Sequence, residues 1–378
     1  MKIPPFLLER YFASHEFNVR YLLCASDCES LTIQELLDLE PGSAERFGRH
    51  WLGYTETQGA PALRAEITRL FTSIKPEEVL VHAGAEEAIY LFMQAALAPG
   101  DHIIVHRPCY QSHFEIAHSL GCAVSAWHGR DTTLTGVQGA QGWALDLDEL
   151  KGLLRPNTKA IVISTPHNPT GYLMAAETLR ALARTANEKG IWLFSDEVYR
   201  ECEYDAGQRL PSAADLGEKC VTLGAVSKTY GLPGLRIGWL AAHDRWLLAR
   251  IAALKDYTTI CASAPSEFLA EVALRQRAAL VARSLATIRA NLDLLDRFFA
   301  RRADRLRWVR PAAGPVGFPQ LIDENVDVFC ERLVKRAGVL LLPGTVFDDN
   351  DNHFRLGFGR ANLPEALDRL EEFLDEER

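Results

Sequence analysis

Between about residue 75 and residue 243 the chain repeats one alternation, a short run rich in Val, Ile and Leu followed by a stretch of helical periodicity. The runs are VLVH at 79–82, HIIVH at 102–106, AVSAW at 123–127, KAIVIST at 159–165, IWLFS at 191–195 and CVTLGA at 220–225. Several are apolar without a polar residue at every second place, the pattern of strands covered on both faces. Among the intervening stretches, AEEAIYLFMQAALA sets Ile89, Phe92, Met93, Ala96 and Leu97 on one helical face and closes at Pro99 and Gly100. Strand, helix, strand in this order implies an α/β fold, a mostly parallel sheet wrapped by helices. LRIGWLAAH at 235–243 follows CVTLGA too closely for a helical crossover, so it is expected as an antiparallel neighbour.

A chain of 378 residues exceeds one comfortable core, and the pattern changes after the sheet. From Pro265 to Arg302 it reads as one long helical stretch. Short strand signals follow at LRWVR, FPQLI, VLLLP and FRLGF, with helices at VDVFCERLVKR and LPEALDRLEEFLDE, which together suggest a smaller α+β domain. The expected division is an N-terminal segment at 1–50 joining the small domain, a large α/β domain at 51–265, a connecting helix at 266–303 and the small domain at 304–378. In the first segment the clearest signal is Thr32 ahead of IQELLDL, and no strand pattern is visible.

A formal net charge of −9 offers no general attraction to nucleic acid, and no nucleic-acid partner is expected. Eight cysteines, at 24, 28, 109, 122, 202, 220, 261 and 330, include no C-x-x-C pair and read as buried free thiols. His15, His50, His102, His106, His113 and His118 lack metal-ligand spacing, so no metal is expected. MKIPPFLLERYF carries Glu9 and Arg10 and no sustained apolar segment; neither a signal peptide nor a membrane span is expected, and the cytoplasm is the default compartment. The P-loop, dinucleotide, zinc-protease and serine-hydrolase motifs are absent.

In an open α/β sheet, ligands bind beyond the carboxyl ends of the strands. Beyond VLVHA stand Gly84 and Ala85 and then a helix start whose free amides suit an anion. Arg107 and Tyr110 follow HIIVH, Asn168 sits in PHNPTG after KAIVIST, and Asp196, Glu197 and Tyr199 follow IWLFS. Ser227 and Lys228 follow CVTLGA. An amine, a carboxylate, an amide, phenols and an anion cradle are what a pyridine aldehyde phosphate needs. The amine forms a Schiff base with the aldehyde and later moves a proton. The carboxylate keeps the ring nitrogen protonated, and the amide and phenol reach the ring hydroxyl.

The ordered set GYTETQGAPALR, GAEEAI, RPCYQSH, NPTG, SDEVY, SKTYGLPGLRIGW and FRLGF resembles the fold-type I pyridoxal-phosphate-dependent enzymes, and within them the class I and II aminotransferases. The resemblance runs from about Tyr54 to Arg355. It implies that pyridoxal 5'-phosphate is the cofactor and that Lys228 is the lysine of the Schiff base. It further implies Asp196 as the partner of the pyridine nitrogen, Asn168 and Tyr199 as ligands of the ring oxygen, and Tyr110 as the aromatic residue against the ring. Ala85, Glu86, Ser227 and Arg236 correspond to phosphate ligands, and Tyr54 to a tyrosine reaching the phosphate from the other subunit of a homodimer. Arg355, with Asn168, corresponds to the clamp on the substrate α-carboxylate. One departure stands out: many relatives carry a serine three residues before the lysine as a phosphate ligand, and here that position is Ala225.

The implied function is a biosynthetic amino-acid aminotransferase, moving an amino group between an L-amino acid and a 2-oxo acid. Alternatives that keep the cofactor are a β-eliminating lyase, a cyclase of the capreomycidine synthase kind, and a non-catalytic pyridoxal-phosphate sensor. The acidic first 50 residues count against the last, which would need a basic DNA-binding segment. No arginine is assigned to a distal carboxylate; Arg20, Arg107 and Arg200 qualify by type alone, and the side-chain pocket is expected from Tyr11 to Asp27 and from a partner subunit.

Overall fold

The six apolar runs and the antiparallel neighbour form one seven-stranded sheet in a computed structural model that describes residues 3–134 and 142–377. The strands are β1 (Val79–His82), β2 (His102–Arg107), β3 (Ala123–His128), β4 (Thr158–Ser164), β5 (Trp192–Asp196), β6 (Cys220–Ala225) and β7 (Gly238–Ala242). Their order across the sheet is β1-β7-β6-β5-β4-β2-β3, and β7 alone runs antiparallel, pairing Gly238 with His82 on one side and with Ala225 on the other. Successive side chains leave a strand on opposite faces, and here each face has its own core. Leu80, Ile103, Val105 and Val162 pack with Phe92 and Met93 of the helix Ala85–Ala96 on one side. Val79 and Val81 go to the other side with Leu63 and Ile67, and Ile104 and Ile161 with Leu179 and Leu182. Two apolar faces explain the unalternating runs.

The stretch after Pro265 is two helices rather than one. Ala264–Arg275 buries Leu269, Val272 and Leu274 against the sheet, whereas Arg277–Arg301 buries Ile288, Leu292, Leu295 and Phe298 in a second core with Phe329, Leu356 and Phe373. They part at Gln276, although Leu280 of the second helix still packs in the sheet core and its face turns to the second core only from Ile288 onward. No Pro or Gly marks the break, so periodicity alone runs through it.

Two elements of the N-terminal segment had no sequence signal. A helix spans Leu7–His15, and the short strand Tyr21–Leu22 pairs in parallel with Val339–Leu340 of the second core. Two residues are too few to display a period. The Thr32 signal corresponds to the helix Ile33–Asp38, closed by a capping box in which Glu35 N–H donates to Thr32 Oγ1 at 3.2 Å and Thr32 N–H to Glu35 Oε2 at 2.7 Å. Its Leu36 and Leu37 pack beside Val81 of the sheet core, so the segment touches both cores. Among the described residues no helix is long and apolar enough to cross a membrane, and no group of side chains is arranged to hold a metal.

Candidate active site

Beyond the ends of β1, β2, β4, β5 and β6 lies a cavity of about 420 Å³. Lys228 enters it from the turn after β6, and its Nζ donates to Ser26 Oγ at 2.8 Å. Burial lowers the pKa of this amine; the charge of Asp27 opposes the shift, and Arg355 adds to it. The lysine is therefore tilted toward its neutral, nucleophilic form.

Asp196 is the last residue of β5, buried at the cavity wall. Its Oδ1 accepts from Val198 N–H at 3.1 Å, and its Oδ2 accepts from His113 Nε2 at 3.1 Å. Burial disfavours a charged His113, but the hydrogen bond and charge of Asp196, helped by Cys109, raise its pKa to about 10. The neighbouring Glu197 turns away, accepting from Ala213 N–H at 2.8 Å, and burial raises its pKa.

At the other end of the cavity the helix Ala85–Ala96 begins at Gly84 without a side-chain cap, leaving the first amides open beside Arg236 and Ser227. Gly84 has φ +89°, and a Cβ there would lie 2.6 Å from Arg236 Nη2; at Gly238 it would lie 2.8 Å from the Ala85 nitrogen. Only glycine lets the strand, the helix start and the guanidinium meet. The result is a cradle of amides, a hydroxyl and a guanidinium, which fits a phosphate group. The Glu86 carboxylate accepts from Ser112 Oγ at 3.2 Å, and burial raises its pKa.

Between these ends stand Asn168, Tyr199, Tyr110 and Arg355. Arg355, 1 % exposed, donates from Nε and Nη2 to the Cys24 carbonyl at 3.2 and 2.9 Å and from Nη1 to Asn168 Oδ1 at 3.2 Å. A guanidinium has five N–H donors, so two remain for a planar anion. Tyr199 donates to the Ser26 carbonyl at 2.8 Å, and burial raises its pKa. Tyr110 packs against Phe6, ring centroids 4.9 Å apart, and donates to Glu9 Oε1 at 3.4 Å.

The cavity gathers ten of the residues singled out in the sequence: Lys228, Asp196, Asn168, Tyr199, Tyr110, Ala85, Glu86, Ser227, Arg236 and Arg355. Tyr54 lies outside it, 85 % exposed. Arg20, Arg107 and Arg200 do not line it either; Arg107 pairs with Asp348, and Arg200 Nη1 donates to the Leu210 carbonyl at 2.7 Å. Ala225 faces the sheet core, so no hydroxyl stands there. Ser26 and Asp27 line the cavity within the stretch Tyr11 to Asp27 expected to build the side-chain pocket, though neither was singled out by itself. Sequence reading assigned no role to His113, which lies within RPCYQSH, and nothing in the sequence pointed to Arg360, whose Nη2 donates to both Asp27 oxygens at 3.0 Å.

The family pattern described as aminotransferase class I and II matches residues 21–370. The chain is 29 % identical to capreomycidine synthase of Streptomyces vinaceus over 98 % of this chain and 94 % of that protein. Its fold matches a pyridoxal-phosphate-dependent aminotransferase from Streptococcus suis with TM-score 0.91 at 33 % identity, covering 100 % and 99 % of the two chains. The pyridoxal-phosphate-dependent cyclase OrfR matches with TM-score 0.89 at 30 % identity over 100 % and 99 %.

The cradle predicts that Arg236→Ala and Gly84→Ala each weaken pyridoxal phosphate retention by about tenfold or more, read by equilibrium dialysis. Unchanged retention in both contradicts the assignment. The His113–Asp196 pair predicts a pH effect on stability. Because the pKa of His113 is raised from 6.5 to about 10, the pair stabilises fully below pH 6.5 and loses that contribution as pH rises through 10. The Tm of the wild type should fall over this window more steeply than that of His113→Gln, and equal slopes count against the pair.

Proposed function

Because the chain belongs to the class I and II aminotransferase family, whose cofactor is pyridoxal 5'-phosphate, we propose that it transfers an amino group from an L-amino acid to a 2-oxo acid in the Lys228 cavity. The observation that carries this reading is the opening of Lys228, Asp196 and Arg355 onto one space that ends in an anion cradle. Pyridoxal phosphate, when bound, supplies an aldehyde for the substrate amine and a ring that draws electrons from the bonds of the α-carbon.

The chain's own residues do the rest. The amides of Ala85 and Glu86, the Ser227 hydroxyl and the Arg236 guanidinium hold the phosphate. Asp196, oriented by its hydrogen bond with His113, would hold a proton on the ring nitrogen. Tyr110 covers the ring, and Asn168 and Tyr199 flank its oxygen. The two spare N–H groups of Arg355 take the substrate α-carboxylate, which fixes the α-carbon within reach of Lys228. Lys228, tilted toward the neutral amine, removes the α-proton as general base.

The likeness to capreomycidine synthase and OrfR over the whole chain favours a second reading, in which the same proton removal leads to cyclisation. Elimination remains the third outcome of the same first step.

An exposed patch supports a homodimer. Trp51 and Tyr54 are 77 % and 85 % exposed on one loop, Tyr257 is 91 % exposed on another, and Lys255 Nζ joins the two loops by donating to the Thr57 and Ile260 carbonyls at 2.8 and 3.1 Å. A second copy of the chain covers these rings and receives Tyr54 at its phosphate cradle.

Incubating the holoenzyme with single amino acids, without an acceptor, separates the chemistries by mass spectrometry. Transfer yields a 2-oxo acid and pyridoxamine phosphate in equal amounts; release of ammonia or a cyclised amino acid instead overturns it. Lys228→Ala should abolish turnover while still binding cofactor, and full activity in that variant refutes the mechanism. Sedimentation velocity should show a dimer, and a monomer with full cofactor affinity rules out the role of Tyr54.

A further inference from the structure

The charged groups of the cavity do not cancel once each has been given its task. Arg236 faces the phosphate cradle, Arg355 the substrate carboxylate, and Asp196 is paired with His113. Arg360 is spent on Asp27, donating from Nε and Nη2 at 3.0–3.2 Å. What remains near the N-terminal wall is Glu9 and Glu16, and among the described residues neither has an ion-pair partner. No cationic side chain is left to meet a distal carboxylate.

These two carboxylates are held as a pair. They stand seven residues apart at the start and the C-cap of the helix Leu7–His15, two turns on one face, with Leu8 and Phe12 of the same helix also lining the cavity. Leu22 extends this apolar wall. Glu9 is exposed at the rim of the cavity, where the Tyr110 hydroxyl donates to it at 3.4 Å, and Glu16 is half-buried; two like charges on one helical face repel each other unless a cation joins them. Burial and the charge of Glu9 raise the pKa of Glu16, and the charges of Arg360 and Lys228 offset part of that rise.

We propose that the amino donor carries a cationic side chain, an amine or guanidinium on an aliphatic stem, with its charged head between Glu9 and Glu16 and its stem along Leu8, Phe12 and Leu22. The proposal rests on the Lys228 cavity being the amino-acid site described above. An anionic side chain would meet two like charges, and an apolar one would leave the repulsion between the two carboxylates unrelieved. A long basic side chain satisfies both walls at once.

The test uses α-methyl amino acids, which have no α-proton to lose and so bind without reacting. Calorimetry on the cofactor-loaded enzyme compares α-methylornithine, α-methylnorleucine and α-methylglutamate. The ornithine analogue should bind at least about tenfold more tightly than the norleucine analogue. The glutamate analogue should be weakest. Glu9→Gln/Glu16→Gln should erase the ranking, and Glu9→Asp/Glu16→Asp, which keeps the charges, should preserve it. Equal or tighter binding of the norleucine or glutamate analogue to the wild type overturns the proposal, as does a ranking that survives the double Gln variant. The wild-type comparison decides the matter even if the variants do not fold. Amino transfer with a flat ranking defeats this proposal alone; a steep ranking without amino transfer defeats the proposed activity and leaves the cation site standing.

Discussion

Where β7 passes the first turn of the helix Ala85–Ala96, the two backbones approach so closely that Gly238 has no room for a Cβ, and a Cβ on Gly84 would run into the Arg236 guanidinium. This approach follows from inserting one antiparallel strand between β1 and β6. Adjacent strands lie about 4.8 Å apart, so the insertion sets the end of β1 about 10 Å from the end of β6. The anion cradle belongs to the first and Lys228 to the second, while Asp196 sits one strand further on. The spacing of the sheet thus sets the length of the ligand: an anion at one end, an aldehyde and a ring nitrogen at the other. β7 also begins just after Arg236, which returns a guanidinium to the same edge.

Around this frame, charge is balanced locally. Asp196 has His113, Asp27 has Arg360, and Arg355 has a carbonyl and an amide oxygen. Buried ions without such partners would shift toward neutrality or destabilise the fold. Lys228, hydrogen-bonded to the uncharged hydroxyl of Ser26, and Glu9 and Glu16 at the N-terminal wall stand outside this balance. The desolvation of Lys228 is left uncompensated by a contact carboxylate, which lowers its pKa.

The sheet was legible in the sequence because strands covered on both faces are apolar throughout, and CVTLGA coincides with β6 from Cys220 to Ala225. The strand-end residues were legible for the related reason that a parallel sheet sends all of them to one edge. Less visible were contacts made by chain distant in sequence. Tyr21–Leu22 is too short to carry a period, and at Gln276 a helix breaks with no Pro or Gly to mark it. Ser26 reaches the cavity from 202 residues before Lys228, within a stretch expected there only as a whole, and Arg360 from beyond the last strand, where local pattern gave no hint of it. His113 appeared in a quoted motif, but its task depends on facing Asp196 from 83 residues away. The break between Ala264–Arg275 and Arg277–Arg301 shows the limit of periodicity, which reports that a face is buried but not against what.

The stretch from Tyr21 to Asp38 has one footing in each core: Tyr21 and Leu23 in the second, Leu36 and Leu37 in that of the sheet. Mid-span, Ser26 meets both Lys228 and Tyr199, and Cys28 N–H donates to the Lys228 carbonyl at 3.4 Å. The stretch is pinned between its ends as well: Gly357 N–H donates to the Leu23 carbonyl at 2.9 Å, Glu29 N–H to the Gly359 carbonyl at 2.8 Å, and Cys28 is buried in the second core. The wall that faces Lys228 is thus built of chain from the first thirty residues and fastened to the last strand, so that the partner of the Lys228 amine is put in place by the packing of one core upon the other.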